Sequence, residues 1–271
     1  MDEPIALAPG EGEVVVEEPA GSSRIKAARE ELLLFESTYG PGEPGARPHI
    51  HRQHADAFYV LEGSLDFRVG AESRTLTAGS FVLAPPGLVH GFEIGADGAH
   101  HLNIHTPGRD YVKLARARRD GIPFAAADGD TFPPPEDGGM PASDADVAEA
   151  EGSDPVKADR PELALLEITF DPGSGVDPHF HKAHSDSFYV LEGEVELHVG
   201  DEVLHATPGA FVLAPPNVVH WFRNVSDAPV RMLNLHTPGG FVQYRRELKE
   251  LRDQGIEPDR EFFERHDVFD V

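Results

Sequence analysis

The sequence predicts an all-β protein made of two copies of one sandwich or barrel domain. Three observations predict it. The first is a repeat: His49-Ile50-His51-Arg52-Gln53-His54-Ala55-Asp56-Ala57-Phe58-Tyr59-Val60-Leu61-Glu62-Gly63 returns 130 residues later as His179-Phe180-His181-Lys182-Ala183-His184-Ser185-Asp186-Ser187-Phe188-Tyr189-Val190-Leu191-Glu192-Gly193. That period is far longer than a solenoid unit, so it marks two whole domains. The second is alternation: Leu65, Phe67 and Val69 are interleaved with Ser64, Asp66 and Arg68, and Val195, Leu197 and Val199 follow the same rule. Period two is the signature of half-buried strands. The third is the density of Gly and Pro turns between short apolar runs, as sandwiches and barrels require.

In chain order, Leu32–Glu36 and Leu165–Thr169 read as strands, closed at Gly40-Pro41-Gly42 and Pro172-Gly173. After the histidine clusters, Gly63 and Gly193 are expected to break a strand. Phe81-Val82-Leu83-Ala84 and Phe211-Val212-Leu213-Ala214 are further strands, each stopped by a double proline. Helix signals come late in each copy, at Tyr111–Arg119 before Gly121 and at Phe241–Leu251 before Gly255. Basic residues in their last turns complement the helix dipole. The expected division is an N-terminal domain at 1–125, an acidic Pro/Gly-rich linker at 126–146 and a C-terminal domain at 147–271. An N-terminal segment is expected to cross over between the barrels.

The chain of 271 residues carries a net charge of -25, which disfavours nucleic acid and anionic lipid as partners. High solubility is its simplest meaning. No long uncharged apolar run suggests a membrane span, and the acidic start argues against a signal peptide, so a cytoplasmic location is the default. Without cysteine there are no disulfides, thiolate metal sites or cysteine nucleophiles.

His49 and His51 lie two apart on a strand and so share a face. Asp56 and His90 follow, and the second copy offers His179, His181, Asp186 and His220. His51 and His90 are 39 residues apart, as are His181 and His220. A lone histidine would be unremarkable surface or core, but the same positions recur at the same separations. Three imidazoles and a carboxylate suit a divalent transition ion such as Fe, Mn, Ni, Cu, Co or Zn, up to one per domain. Asn103-Ile104-His105 and Asn234-Leu235-His236 alternate with apolar residues. If Leu102 and Ile104 face outward, Asn103 and His105 line the interior. His105 and His236 are then either substrate contacts and proton carriers or strand-end hydrogen bonds to a loop. Phe58, Phe81, Phe92, Phe188, Phe211, Trp221 and Phe222 are candidate pocket walls, with plain core as the alternative for most.

These motifs resemble the cupin superfamily, and specifically its two-domain bicupins of quercetinase-like, cupin type 2 kind. The first cupin motif falls on His49, His51, Asp56 and Gly63 and again on His179, His181, Asp186 and Gly193. The second falls on Gly79, Pro85, Gly87 and His90, then on Gly209, Pro215, Asn217, His220 and Asn224. Asp56 and Asp186 stand where the motif has Glu, one methylene longer, so they reach the ion differently or leave the task to His54 and His184. Ile94 replaces the motif's Asn, and Asn217 its Gly. The resemblance implies two jelly-roll (double-stranded β-helix) barrels with short C-terminal helices. It also implies a metal-dependent oxidoreductase of dioxygenase type, acting on a small aromatic or enolisable substrate. The metal ligands would be His49, His51, Asp56, His90, His179, His181, Asp186 and His220. The catalytic candidates would be His54, His105, His184 and His236, one of which, or a carboxylate, would take the substrate proton. The alternatives are a non-redox isomerase, decarboxylase or lyase, and a non-catalytic small-molecule binder. Exposed edge strands make a homodimer an expectation as well.

Overall fold

The computed structural model describes residues 3–108, 110–136, 142–148 and 155–271. They fall into two compact antiparallel units, Gly12–Asp154 and a second made of Met1–Glu11 with Pro155–Val271. In the first, the strands run in the order Glu13–Glu18, Gly21–Ala28, Leu33–Tyr39, His90–Thr106, Ala55–Val69, Phe81–Ala84 and Asp146–Ala148. Glu72–Thr77 forms a hairpin with Ala55–Val69. In the second, one sheet runs Ile5–Leu7, Phe211–Ala214, Ser185–Glu192, Val230–Thr237, Ala164–Phe170, Val156–Asp159. The other runs Glu202–Ala206, Val195–Val199, His220–Arg223, Gly175–Phe180, Phe269–Asp270.

The alternation read from the sequence sets the layers. Leu65, Phe67 and Val69 are buried while Asp66 and Arg68 face solvent. Each such large apolar side chain contributes roughly 1.5–3 kcal/mol on burial. Leu197 and Val199 are buried in the same way opposite. The crossing segment is Ile5–Leu7, whose residues pair with Leu213, Val212 and Phe211. Asp146–Ala148 makes the equivalent addition to the first unit, against Leu83, Val82 and Phe81. An edge strand in each unit is thus covered by a short segment that precedes the other repeat in the chain.

The units therefore differ from the sequence reading at both ends. Residues 1–11 belong with the C-terminal repeat. The expected linker at 126–146 supplies the N-terminal unit with a turn at Ala126–Gly129, a bridge between Phe132 and Ile50, and its last strand. Residues 137–141, Gly138 and Gly139 among them, lie outside the described residues.

The helices Tyr111–Asp120 and Phe241–Asp253 form where expected. Gly121 (φ 65) ends the first in the left-handed region, its N–H reaching the Ala117 and Arg118 carbonyls. Arg116 and Arg119 of this helix grip Glu13, fastening it to the first strand of the sheet. A third helix, Arg260–Arg265, was not foreseen. It starts at Asp259, whose side chain accepts the Phe262 N–H at 2.8 Å.

Two sequence details shape the strands. Gly63 does not end a strand. It sits as a bulge (φ 70) inside Ala55–Val69, where a Cβ would meet the Gly98 carbonyl at 2.1 Å. Gly193 does separate two strands, Ser185–Glu192 and Val195–Val199. Asn224 explains the next difference. Its buried amide donates to the Phe170 and Ala228 carbonyls and accepts from Ser226 N–H, building a turn between His220–Arg223 and Val230–Thr237. Ile94 cannot make those bonds, and His90–Thr106 runs as one strand of 17 residues.

Candidate metal centre

In the N-terminal unit His49 and His90 face each other as a hydrogen-bonded pair, with His49 N–H donating to His90 O at 2.9 Å and His90 N–H to His49 O at 3.0 Å. His51 follows two residues on. The Gly87 N–H donates to the His51 carbonyl at 2.6 Å, tying the turn before His90 to the His51 backbone. Gly87 has φ 88, and its counterpart Asn217 has φ 67 with the same bond to His181. Asparagine tolerates that left-handed geometry better than other side chains, so the exchange of Gly for Asn preserves the turn.

The ring orientations follow from main-chain acceptors. His49 Nδ1–H donates to Arg47 O at 2.8 Å, His51 Nδ1–H to Asp130 O at 2.8 Å and His90 Nδ1–H to Leu88 O at 2.9 Å. A neutral imidazole that donates through Nδ1 carries its lone pair on Nε2. Three such nitrogens and the Asp56 carboxylate lie within 4.8 Å of one another. Asp56 Oδ2 is 3.1 Å from His90 Nε2 and 3.5 Å from His51 Nε2. Its Oδ1 accepts the Asn103 amide. The second unit repeats the arrangement: His179, His181 and His220 are anchored on the carbonyls of Asp177, Asp267 and Val218. Asp186 Oδ2 lies 3.2 Å from His220 Nε2 and 3.7 Å from His181 Nε2.

This grouping fits a metal ion on its own terms. The Nε2 atoms of His51 and His181 are buried without a hydrogen-bond partner. Lone pairs turned toward a carboxylate oxygen repel unless a cation sits among them. Donors held about 2.0–2.2 Å from an ion at right angles are separated by about 3 Å, close to the spacings observed. The shorter aspartate therefore reaches the cluster in both units.

Electrostatics agree. Burial, aided by His90 and His51, holds His49 down at about 4, so it is a neutral donor near pH 7. His179 is likewise lowered to about 4 by burial, then by His220 and His181. Burial alone would raise the Asp56 carboxyl, but its interactions with the surrounding imidazoles of His105, His51 and His90 hold it well below its usual range. Asp186 is held low in the same way, with His236 in the place of His105.

His54 and His105 do not join that grouping. They form a second one with His51, matched by His181, His184 and His236. His51 Nδ1 is committed to a carbonyl, so its single remaining lone pair can serve only one of the two groupings. His54 stacks on His51 at 4.0 Å, and its Nδ1 lies 2.9 Å from Asp130 Oδ2. His105 Nε2–H donates to Asn103 Oδ1 at 2.9 Å, and Tyr111 stacks over its ring at 4.0 Å. Phe241 covers His236 at 3.6 Å. Burial lowers His54 to about 3 and His105 well below the usual histidine range. The inward placement expected for Asn103 and His105 is observed, with Leu102 and Ile104 packed on the other side.

Asp130 and Asp267 are the residues the sequence reading missed. Each has a left-handed backbone, with φ 57 and φ 60. Asp130 gives its carbonyl to His51, accepts the Arg52 and Gln53 N–H groups on its carboxylate, and pairs with His54. Asp267 does the same for His181, Lys182, Ala183 and His184. No spacing signal pointed to them, because they stand 137 residues apart, out of step with the repeat.

A cavity of about 470 Å³ in the N-terminal unit reaches this centre, lined among others by His49, Asp56, Asn103 and Tyr111. Of the expected wall residues Phe58 and Phe92 face it. Phe81 and Phe211 are instead fully buried, and Trp221 stacks on His198 at 3.5 Å. His54 and His105 are not among the lining residues.

Two antiparallel barrels, each with an inward histidine and aspartate cluster, define the class. The cupin domain profile matches residues 35–102 and 166–236, and the chain belongs to that family, as a bicupin. It is 22% identical over 302 residues to the quercetin 2,3-dioxygenase of Bacillus subtilis (strain 168), spanning 94% of this chain and 88% of that protein. Among solved structures, oxalate decarboxylase from Bacillus subtilis at pH 4.6 superposes with TM-score 0.59 at 17% identity, over 98% of this chain and 87% of that one. AerE from Microcystis aeruginosa gives 0.57 at 14% identity, over 86% and 97%. These structural likenesses speak for the fold. No described helix is long and apolar enough to cross a membrane.

Proposed function

We propose that this bicupin is a metal-dependent oxidoreductase of dioxygenase type, acting on a small aromatic or enolisable substrate. The observation that carries the reading is the convergence of three tautomer-fixed Nε2 lone pairs on Asp56 Oδ2 at the end of an open cavity. Likeness to quercetin 2,3-dioxygenase along 94% of the chain supports the reaction type. His49, His51, Asp56 and His90 would hold the ion in one barrel, and His179, His181, Asp186 and His220 in the other. A divalent transition ion there would supply Lewis acidity toward a substrate oxygen and, if redox-active, electron transfer with dioxygen.

The remaining roles belong to the chain. His49 and Asp56 line the cavity and are the cage residues an entering hydroxyl meets. Its proton has one acceptor within reach, the Asp56 carboxylate, because His49 Nε2 has no lone pair left once it holds the ion. Asn103 restrains the other carboxylate oxygen, and His105 restrains Asn103. His54 and His105, with His184 and His236 opposite, are thereby positioning residues that orient the cage, rather than groups that touch substrate. Phe58 and Phe92 give the cavity aromatic walls that keep water from the reacting face.

The test is metal analysis of the purified protein combined with oxygen uptake on a panel of catechols and flavonols, in air and under argon. Oxygen consumed in proportion to substrate lost supports the reading. Equal turnover under argon would replace it with a non-redox isomerase, decarboxylase or lyase.

A further inference from the structure

The two barrels share a cage but not a wall. In the N-terminal unit Ser37 pairs with His101 across the strands Leu33–Tyr39 and His90–Thr106, and Tyr39 stacks on the His101 ring at 5.8 Å and 13°. The register Leu33↔His105 corresponds to Ala164↔His236, so the same positions in the C-terminal unit are Ile168, Met232 and Phe170. Ile168 and Met232 belong to the apolar core of that unit, and Phe170 packs against it. Ser37, Tyr39 and His101 line the 470 Å³ cavity.

We infer that the N-terminal barrel is the one that takes substrate. Within it, Tyr39 and His101 recognise a second, uncharged oxygen group on a planar aromatic or enolic molecule whose first oxygen meets the Asp56 end. This deepens the function proposed above and rests on it.

His101 is 2% exposed, and its Nδ1 is buried without a hydrogen-bond partner. Such a group is costly to keep unless something else uses the ring. Packing does not require it, because methionine fills the equivalent place in the other barrel. Its position along the strand gives the span. His101 is two residues from Asn103 on the same face, and Asn103 holds Asp56. Two residues of strand cover about 7 Å, roughly the breadth of one aromatic ring with its substituents. The walls, Phe58, Phe92 and Tyr39, are flat and apolar.

Charge restricts the distal group. Burial holds the His101 imidazole down at about 4, so it is neutral near pH 7. The arginines that line the cavity, Arg118 and Arg119, are exposed side chains of the helix, as Glu17 and Glu18 are of the first strand. A hydroxyl, carbonyl or nitro oxygen suits a neutral imidazole. A carboxylate placed against the buried His101 ring would meet a neutral group there, so an uncharged oxygen suits that end better.

The test is anaerobic calorimetry on the metal-loaded full chain, with catechol and 4-(hydroxymethyl)catechol as probes. The second carries an uncharged oxygen group across the ring with little effect on the acidity of the two hydroxyls, and catechol lacks it. The expected result is one 4-(hydroxymethyl)catechol per chain, bound up to about tenfold more tightly than catechol, the worth of one hydrogen bond. His101→Met should erase the preference while metal content stays unchanged. His101→Gln, which keeps a hydrogen-bonding group, should retain most of it and covers the case in which the methionine variant does not fold. Met232→Leu should change nothing. Two probes per chain, no binding, or a preference that survives His101→Met would each overturn the inference. Because binding is read without oxygen, a failure of dioxygenase turnover alone would leave it standing.

Discussion

The two barrels build the same donor set and surround it differently. In both, three Nδ1–H groups are fixed by carbonyls, an aspartate faces the Nε2 atoms and an asparagine holds that aspartate. Away from the donors the resemblance fades. Ser37, Tyr39 and His101 line space where Ile168, Phe170 and Met232 join a packed core. Tyr111 covers His105, and Phe241 covers His236. The donor set and the rest of the barrel interior thus vary independently in this chain. The first consists of four side chains and their anchors, the second of the side chains that fill the remaining space.

The strongest way to break the comparison is to remove one cage at a time. His51→Ala and His181→Ala should each lower metal content by about one ion per chain, measured by elemental analysis, since each deletes the donor that both groupings of its own barrel share. The activity consequences should diverge. His51→Ala should reduce turnover by about a thousandfold or more, the scale of losing an electrostatic catalyst, while His181→Ala should leave most of it. Equal losses would mean that both barrels work.

Asp130 and Asp267 come next. Asp130→Ala should weaken metal binding in the N-terminal barrel by about 10–100-fold, as outer partners of ligands commonly do. Asp130→Asn, which keeps an acceptor and tolerates the left-handed backbone, should weaken it less. Competition with a chelator measures both, and Asp267→Ala should report the same loss in the other barrel.

Acid should act on both barrels in one direction. His49, His54, His101, His179 and His184 are held below the ordinary histidine value of about 6.5 in the folded state, mainly by burial. The unfolded chain therefore binds more protons once the pH falls below about 6.5, and the native state loses stability as the pH drops from there toward 4. The melting temperature of the metal-free protein should fall steadily across that window. His101→Met should flatten the fall slightly, because it deletes one of these groups. An identical slope would show that His101 is not held neutral by the fold.

The smallest expected change is Tyr111→Phe, which gives the first barrel the cover of the second. It should leave metal content intact and alter stability by less than about 1 kcal/mol, since the stacked ring is retained. A loss of metal would mean that the Tyr111 hydroxyl supports the centre.

Much of the site was legible in the sequence because it repeats. The recurrence at 130 residues exposed His49, His51, Asp56 and His90 with their partners, and period-two alternation exposed the strands that carry them. What broke the repeat escaped. Asp130 and Asp267 reach His51 and His181 across 79 and 86 residues, from segments that do not align with each other. Asp130 fell in a stretch read as linker, because poverty in large apolar residues looks alike in a spacer and in a turn that clamps a site. Nearness in sequence made His54 an alternative to the aspartate, whereas its ring lies against His51 and His105.

The sequence by itself determined the duplication, the β class and the ligand types, because these are local or periodic properties that survive reading along one dimension. Only the tertiary structure decided which lone pairs point inward, which segments clamp them and which side chains fill the rest of each barrel. Those outcomes depend on main-chain carbonyls and side-chain volumes brought together from distant positions, and a linear pattern carries neither.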